Sequence, residues 1–216
     1  MEVIKHYVTY QDIHTMIGNT AKRIQTEFTP DIMIAIGGGG FFPARVMRTF
    51  LKVKGKNVPI LAIGLSLYES LPQMDDGSAT AQPEQLGKEV VRTQWLDHST
   101  LGNHPLRGKK ILIVDEVDDS RTTLDYTIRE LQKDVEDQLA QLSPEEREKT
   151  PKTEFGIFVV HNKLKEKAGS LPSDVKYWSG ADVGDEWICY PWESQDIAEH
   201  DQFAAAERAG KSNGTL

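Results

Sequence analysis

From residue 111 the chain reads ILIVDEVDDSRTT. Ile111 to Val114 is an apolar run that suits a buried strand. Asp115, Glu116, Asp118 and Asp119 follow at once, then Ser120, Thr122 and Thr123. Carboxylates so close together bind a metal ion, accept hydrogen bonds from hydroxyls, or take a proton. Hydroxyls entering a helix suit an anion, because the first N–H groups of a helix lack partners and its dipole is positive there. Arg121 adds a cation or points to solvent. A carboxylate beside a phosphate is repulsive unless sugar hydroxyls or a magnesium ion stand between them. A ribose 5-phosphate therefore fits, with hydroxyls for the acids and phosphate for the turn. The plainer alternative is an acidic first turn that complements the helix dipole. A calcium loop fits poorly, since the segment lacks the glycine of the sharp turn, and no Gly-Lys-Ser/Thr marks a Walker A loop.

The elements around this segment predict where it sits. Thr9 and Asp12 form a capping-box pattern ahead of helically spaced Ile13, Met16, Ile17, Ala21 and Ile24. Ile32 to Ile36 reads as a buried strand ending in four glycines, followed by a helix with Pro43 in its first turn. VPILAIGLSLY is a further strand, and KEVVRTQWL a possible one. Between them lies a stretch rich in Pro, Gly, Asp and Ser, expected to be a mobile loop over about residues 67–87. A helix after the acid-hydroxyl turn places Leu124, Ile128, Leu131, Val135 and Leu139 on one face, and SPEEREKTPKTE reads as its solvated end. FGIFVVH is another buried strand. A basic patch, NKLKEK, and a Trp-rich segment follow, and the last residues read as a frayed tail. Apolar strands alternating with amphipathic helices predict an α/β fold with a mainly parallel sheet covered on both faces. Ligands bind beyond the carboxyl ends of such strands, where both the glycine run and the acid-hydroxyl run fall.

The chain has 216 residues, enough for one domain with a small accessory part. A net charge of -8 argues against nucleic-acid or anionic-membrane binding. The single cysteine, Cys189, excludes an internal disulfide and reads as inert packing. No signal-peptide pattern and no apolar run of membrane-spanning length occurs, so a cytoplasmic protein is expected.

The segment Ile111–Thr123 resembles the phosphoribosyl pyrophosphate (PRPP) motif of type I phosphoribosyltransferases. Two positions depart from that pattern: Arg121 stands where a small residue, often glycine, is usual, and Asp118 where an aliphatic is common. AIGGGGFFPAR, IGLSLYE, VRTQWLD and CYPWES are similar to the fungal purine phosphoribosyltransferases in particular. The likeness runs from Tyr7 to His200. It implies a type I phosphoribosyltransferase fold, with a core over residues 1–170, a small hood subdomain built from chain-terminal segments including 171–200, and a tail over 201–216.

The resemblance also implies roles. Asp115 and Glu116 would hold ribose hydroxyls directly or through Mg2+, with Glu116 the metal carboxylate. Ser120, Arg121, Thr122 and Thr123 would hold the 5'-phosphate. Gly37, Gly38 and Gly39, in a loop that often carries a non-proline cis peptide, would bind pyrophosphate with Arg92. Trp187 would stack on the purine, although core packing is the plainer reading of a tryptophan. The Ile188 backbone would meet the base edge, Lys163 the 6-oxo group, and Glu193 the metal or the purine's 2-substituent. Asp119 would be the catalytic group at purine N7. His161 reads as structural. The implied reaction joins hypoxanthine or guanine to PRPP, giving a nucleoside 5'-monophosphate and pyrophosphate, in a homodimer. A xanthine-specific enzyme is the alternative, and a non-catalytic PRPP-sensing regulator a further one. Such regulators usually add a DNA-binding segment, and none is visible.

Overall fold

The computed structural model describes residues 4–68, 89–96 and 105–213. Most of the loop expected over about 67–87 lies outside these residues. The chain begins with β1 (Lys5–Tyr7) and enters α1 (Tyr10–Glu27) through the expected capping box: Thr9 Oγ1 accepts the Asp12 N–H, and the Asp12 carboxylate accepts the Thr9 N–H. β2 (Ile32–Gly37), α2 (Phe41–Phe50), the short hairpin β3 (Lys52–Val53) and β4 (Lys56–Asn57), β5 (Ile60–Tyr68) and β6 (Glu89–Gln94) follow. Then come β7 (Lys110–Asp118), α3 (Thr122–Ala140), α4 (Pro144–Lys149), β8 (Glu154–Lys163), β9 (Lys176–Val183), β10 (Trp187–Cys189) and α5 (Ile197–Asn213).

Six strands form the main sheet in the order β6-β5-β2-β7-β8-β9. All its neighbours are parallel except β5 and β6. The apolar runs explain the burial. Ile111 to Val114 of β7 and Ile157 to Val160 of β8 are fully enclosed, because helices cover both faces. On one face Leu112, Val114 and Val160 pack with α1, α2 and the hood residues Ile188 and Tyr190. On the other, Ile111, Ile113 and Ile157 pack with Leu124, Ile128, Leu131 and Val135 of α3.

The hood joins the two ends of the chain. β1 pairs in parallel with β10, setting Lys5 beside Trp187 and His6 beside Ile188. Residues 201–213, in the stretch read as a tail, contribute most of α5, which locks onto β1. Glu207 lies 2.6 Å from His6 Nδ1 and accepts the Tyr7 N–H at 2.9 Å. The stretch read as a solvated helix end forms α4, begun by a capping box between Ser143 and Glu146. β9 was not anticipated, since its residues KYWSGADV mix polar and aromatic types without clean alternation.

Glu207→Ala is expected to lower the free energy of unfolding in urea by about 1–3 kcal/mol, because it strips the Tyr7 N–H of its acceptor. An unchanged midpoint would show that α5 does not clasp the hood.

Candidate active site at the ends of β2, β7 and β8

β2 lies between β5 and β7, with Gly37 opposite Gly64 and Ala35 opposite Val114. The glycine run and the acid run therefore leave the sheet side by side. The Gly37–Gly38 peptide is cis. A side chain at Gly39 would collide with the Glu116 carboxylate, and one at Gly40 with the carbonyls of Val114 and Ile36. Glycine is required at both places by close approach. Gly39 thus puts the turn expected for pyrophosphate directly against the acid expected for the metal.

The strand runs further than its apolar core suggests. β7 continues through Asp118, so Asp115 and Glu116 are strand residues rather than part of a loop. The turn proper is Asp119, Ser120 and Arg121, and Arg121 caps α3 in the left-handed region at φ 68°. The Ser120 and Thr122 hydroxyls lie 2.9 Å apart at its mouth. Thr123 opens α3 beside them, its carbonyl accepting from Thr127. The carbonyls of this turn are tied back. Lys167 Nζ donates to the Asp118 and Asp119 carbonyls at 2.6 and 2.9 Å, and the Ala168 and Gly169 N–H groups donate to that of Ser120. That leaves hydroxyls and the positive end of the α3 dipole facing outward, which is what an anion needs.

Each acid has its own environment. Burial, then the neighbouring Glu116 charge, hold the Asp115 carboxyl well above the usual carboxylate range. Its Oδ1 accepts the Glu116 N–H at 2.8 Å. Burial raises Glu116 to about 7, the Glu193 charge adding to the shift while the Trp192 hydrogen bond opposes it. That bond, indole N–H to Glu116 Oε2, is 2.8 Å long. Trp192 is itself stacked between Tyr190 and Phe42, at 4.9 and 5.4 Å between ring centres. The Tyr190 hydroxyl donates to the Glu116 carbonyl and lies 2.9 Å from His161 Nδ1. Burial and the His6 charge lower His161 to about 4, so it is a neutral structural partner at neutral pH.

Asp118 points to the other face of the sheet and is fully enclosed, with 0% side-chain exposure. Its Oδ2 accepts from Arg121 at 2.8 and 3.0 Å and from the Tyr177 hydroxyl at 2.8 Å. Lys167 Nζ stands 3.4 Å from Oδ1. Arg121, expected at the 5'-phosphate, therefore has its guanidinium on Asp118 and over the Tyr177 ring. Asp119 instead faces two lysines. Lys163 Nζ donates to Oδ2 at 3.1 Å, and Lys165 Nζ lies 2.5 Å from Oδ1, an ion pair without hydrogen-bond alignment. Asp185 reaches both, at 3.7 Å from Lys163 and 2.8 Å from Lys165. Burial opposes the Lys165 charge, but the Asp119 and Asp185 carboxylates beside it hold its ammonium above the usual value.

Trp187 follows Asp185 by two residues and keeps 40% of its surface exposed, an open platform for a flat ring. Ile188 is buried in the hood-side core. Glu193 lies on the Glu116 side, where its charge is felt. Arg92 is held elsewhere: it pairs with Glu130, donates to the Tyr126 hydroxyl at 2.9 Å and covers Trp95 at 4.1 Å. None of these partners belongs to the glycine turn. Sequence reasoning missed Lys165, Lys167, Asp185 and Trp192. The basic patch carried the signal for the lysines, since it leaves β8 at the same edge where β7 delivers its acids.

A mostly parallel sheet whose neighbouring strands end in a glycine turn, paired acids and a hydroxyl-rich helix start is the architecture of a type I phosphoribosyltransferase. No protein-family model matches the chain. It is 54% identical over 210 residues to hypoxanthine-guanine phosphoribosyltransferase of Schizosaccharomyces pombe, covering 95% of this chain and 97% of that one. It is 48% identical over 209 residues to xanthine phosphoribosyltransferase 1 of Saccharomyces cerevisiae, covering 93% and 95%. Among solved structures, a hypothetical protein of Neisseria gonorrhoeae with bound ppGpp superposes with a TM-score of 0.71 at 38% identity, over 96% of this chain and 99% of that one. A purine phosphoribosyltransferase of Pyrococcus horikoshii shares the fold, with a TM-score of 0.58 at 22% identity over 89% and 97%. The chain belongs to the purine phosphoribosyltransferases of the fungal hypoxanthine-guanine and xanthine type, enzymes of purine salvage. Among the described residues no helix is long and apolar enough to cross a membrane.

Two outcomes are expected. Arg121→Met should cost about 2–4 kcal/mol in denaturant unfolding, since a buried carboxylate loses its main counter-charge while Tyr177 and Lys167 remain. Arg121→Gly should cost less, by the roughly 1–2 kcal/mol of left-handed strain that it relieves. The second concerns pH. Asp115 and Glu116 both have folded pKa values above their unfolded ones, so the folded state holds more protons in that window. Their contribution is fully present below about pH 4 and is lost as pH rises through about 7 for Glu116. The ligand-free melting temperature should fall between pH 5 and 8, and Glu116→Gln should flatten that fall.

Proposed function

We propose that this enzyme transfers the 5-phosphoribosyl group of PRPP to N9 of hypoxanthine or guanine, giving IMP or GMP and pyrophosphate. The observation that carries the reading is Asp119. Its carboxylate stands at the mouth of the hydroxyl turn, between two lysines, one turn of backbone from where a ribose 5-phosphate would be anchored. In the transfer the bond from ribose C1 to pyrophosphate breaks as N9 bonds to C1, and the electron pair leaves with pyrophosphate. The proton on N7 passes to Asp119, which later gives it to solvent. Ser120, Thr122 and Thr123 hold the 5'-phosphate and so fix the sugar for attack. Gly37, Gly38 and Gly39 present backbone to the leaving pyrophosphate, with Arg92 joining once released from Glu130. Lys163 donates to the 6-oxo oxygen, Trp187 stacks on the ring, and the Ile188 backbone meets its edge.

Asp115, Glu116 and Glu193 suit a hard cation. Burial raises both Asp115 and Glu116, with the Glu116 charge adding to the shift of Asp115 and the Glu193 charge to that of Glu116, and a divalent charge would relieve that. Among the described residues no group of three or more His, Cys, Asp or Glu side chains encloses a metal by itself. A Mg2+ ion there would be shared with sugar and pyrophosphate oxygens, as that ion prefers. Bound Mg2+ would supply charge stabilisation to the departing pyrophosphate. The reading includes a cytoplasmic homodimer, for which the exposed rings of Tyr10 and Phe42, 6.4 Å apart between centres, offer an aromatic surface that a second copy would cover.

Guanine is supported by the Neisseria protein, whose bound ppGpp carries that base. Xanthine is the second reading, supported by the 48% identical yeast relative. The three bases differ only at C2, as hydrogen, amine or carbonyl. Turnover with hypoxanthine, guanine, xanthine and adenine, each with PRPP and Mg2+, decides among them. Hypoxanthine and guanine are expected to react, and incorporation of adenine alone would overturn 6-oxo recognition. Asp119→Asn should cut kcat by about 10²–10⁴-fold with little change in the KM for PRPP. Equal turnover in the variant and the parent would remove Asp119 from the mechanism.

A further inference from the structure

We propose that Lys165 is a positioning residue for the transfer, holding Asp119 by Oδ1 so that Oδ2 stays aimed at purine N7, with Asp185 as the anchor of Lys165. The inference rests on the reading of Asp119 and Lys163 given above.

The two lysines take different oxygens of one carboxylate. Lys163 is on Oδ2 at 3.1 Å and Lys165 on Oδ1 at 2.5 Å. Asp185 Oδ1 closes the group from the far side, 3.7 Å from Lys163 and 2.8 Å from Lys165. Two cations and two anions thus alternate around a square, and its net charge is zero. The backbone is shaped for this. The Lys165 N–H donates to the Lys163 carbonyl at 3.0 Å, a three-residue turn that sends both ammonium groups to the same carboxylate. The Leu164 N–H is tied to the Val183 carbonyl of β9 at 2.8 Å, and its side chain, between the two lysines, is 67% exposed. Lys163 is nearly enclosed at 10% exposure, whereas Lys165 keeps 28%.

The square must open when the base arrives. Oδ2 is the oxygen that N7 needs, and the ammonium now on it is the one that the 6-oxo group needs. As the purine enters, Lys163 moves from Oδ2 to the oxo oxygen, and N7–H takes its place on Oδ2. Asp119 then loses one of its two tethers while it becomes the reacting group. The terminal torsion of an aspartate is broad, so a single remaining contact at Oδ2 would let the carboxylate turn. Lys165 holds the other oxygen throughout. Its own stem is flexible, and Asp185 fixes it.

The test is steady-state kinetics on the full-length enzyme with Lys165→Met, Lys165→Arg and Asp185→Asn, alone and combined with Asp119→Asn. Lys165→Met is expected to lower kcat about 10–100-fold, as misplacement of a reacting group does, with the KM for PRPP within about twofold. Lys165→Arg should restore most of the loss, and Asp185→Asn should show a smaller loss of the same kind. On the Asp119→Asn background Lys165→Met should have little further effect, because the two act as one unit. A kcat of Lys165→Met equal to the parent's would overturn the proposal. So would the same fold-loss on both backgrounds, or a rise in hypoxanthine KM at constant kcat, which would make Lys165 a base ligand. Failure of the Asp119 reading is separate, since it shows as full activity of Asp119→Asn with Lys165 intact.

Discussion

Four carboxylates within five residues at the end of one strand repel one another, and burial makes that repulsion larger. The structure around β7 is a set of answers to this one constraint. Asp118 is neutralised internally by Arg121, with Tyr177 and Lys167 beside it. Asp119 is neutralised by Lys163 and Lys165 at the surface of the site. Asp115 and Glu116 receive no cation from the described protein, and burial, with neighbouring carboxylate charges, raises their pKa values. The division is functional as well as electrostatic. A buried paired acid builds the turn, a second is paired at the open end of the strand, and the remaining two are left without a cation among the described residues; the proposed roles of base partner and metal site follow that division.

The neighbouring elements follow from where these counter-charges must come. In a parallel sheet the loops after β2, β7 and β8 emerge at one edge, so glycines, acids and lysines meet without any long-range fold of the loops themselves. The hood approaches the same edge from β1 and β10. What it brings to Glu116 as a donor is aromatic: Trp192, stacked between Tyr190 and Phe42, gives that carboxylate one neutral hydrogen bond. A neutral donor orients the carboxylate without removing its demand for a cation. A lysine in that place would neutralise the carboxylate outright.

Most of the scaffold was legible because burial on both faces writes strands as apolar runs and helices as spaced ones. β2, β7, β8, α1, α2 and α3 all carry that signature; β5 is written as an apolar run too, although of its described side chains only Ile63 is fully buried. β9 and α5 do not: β9 lies at the sheet edge with polar positions, and α5 presents only a narrow apolar face to β1. In the site, the residue types and the strand-to-helix placement were legible, but the direction of each acid was not. Strict alternation would put Glu116 and Asp118 on one face. Instead Val117 joins the hood-side core with Glu116 nearby, and Asp118 reaches Tyr177 on the α3 side. Pairings such as Asp119 with Lys163, separated by 44 residues, depend on strand order, which spacing along the chain does not carry.

Asp118 and Arg121 appeared in the sequence as two unrelated departures from the phosphoribosyltransferase pattern. In the structure they are one. The usual aliphatic at the first position is content when buried and asks nothing of the turn, so the turn residue is free to be glycine, which adopts a left-handed backbone without cost. An aspartate at the same buried place needs a cation within reach. The residue three positions on, already at the head of α3, is near enough to supply it. Arg121 does so while keeping the φ of 68° that the turn requires. The strain of a left-handed arginine and the burial of a carboxylate, each unfavourable alone, are offset by the ion pair between them. The backbone of the hydroxyl turn therefore keeps its shape through a different chemistry.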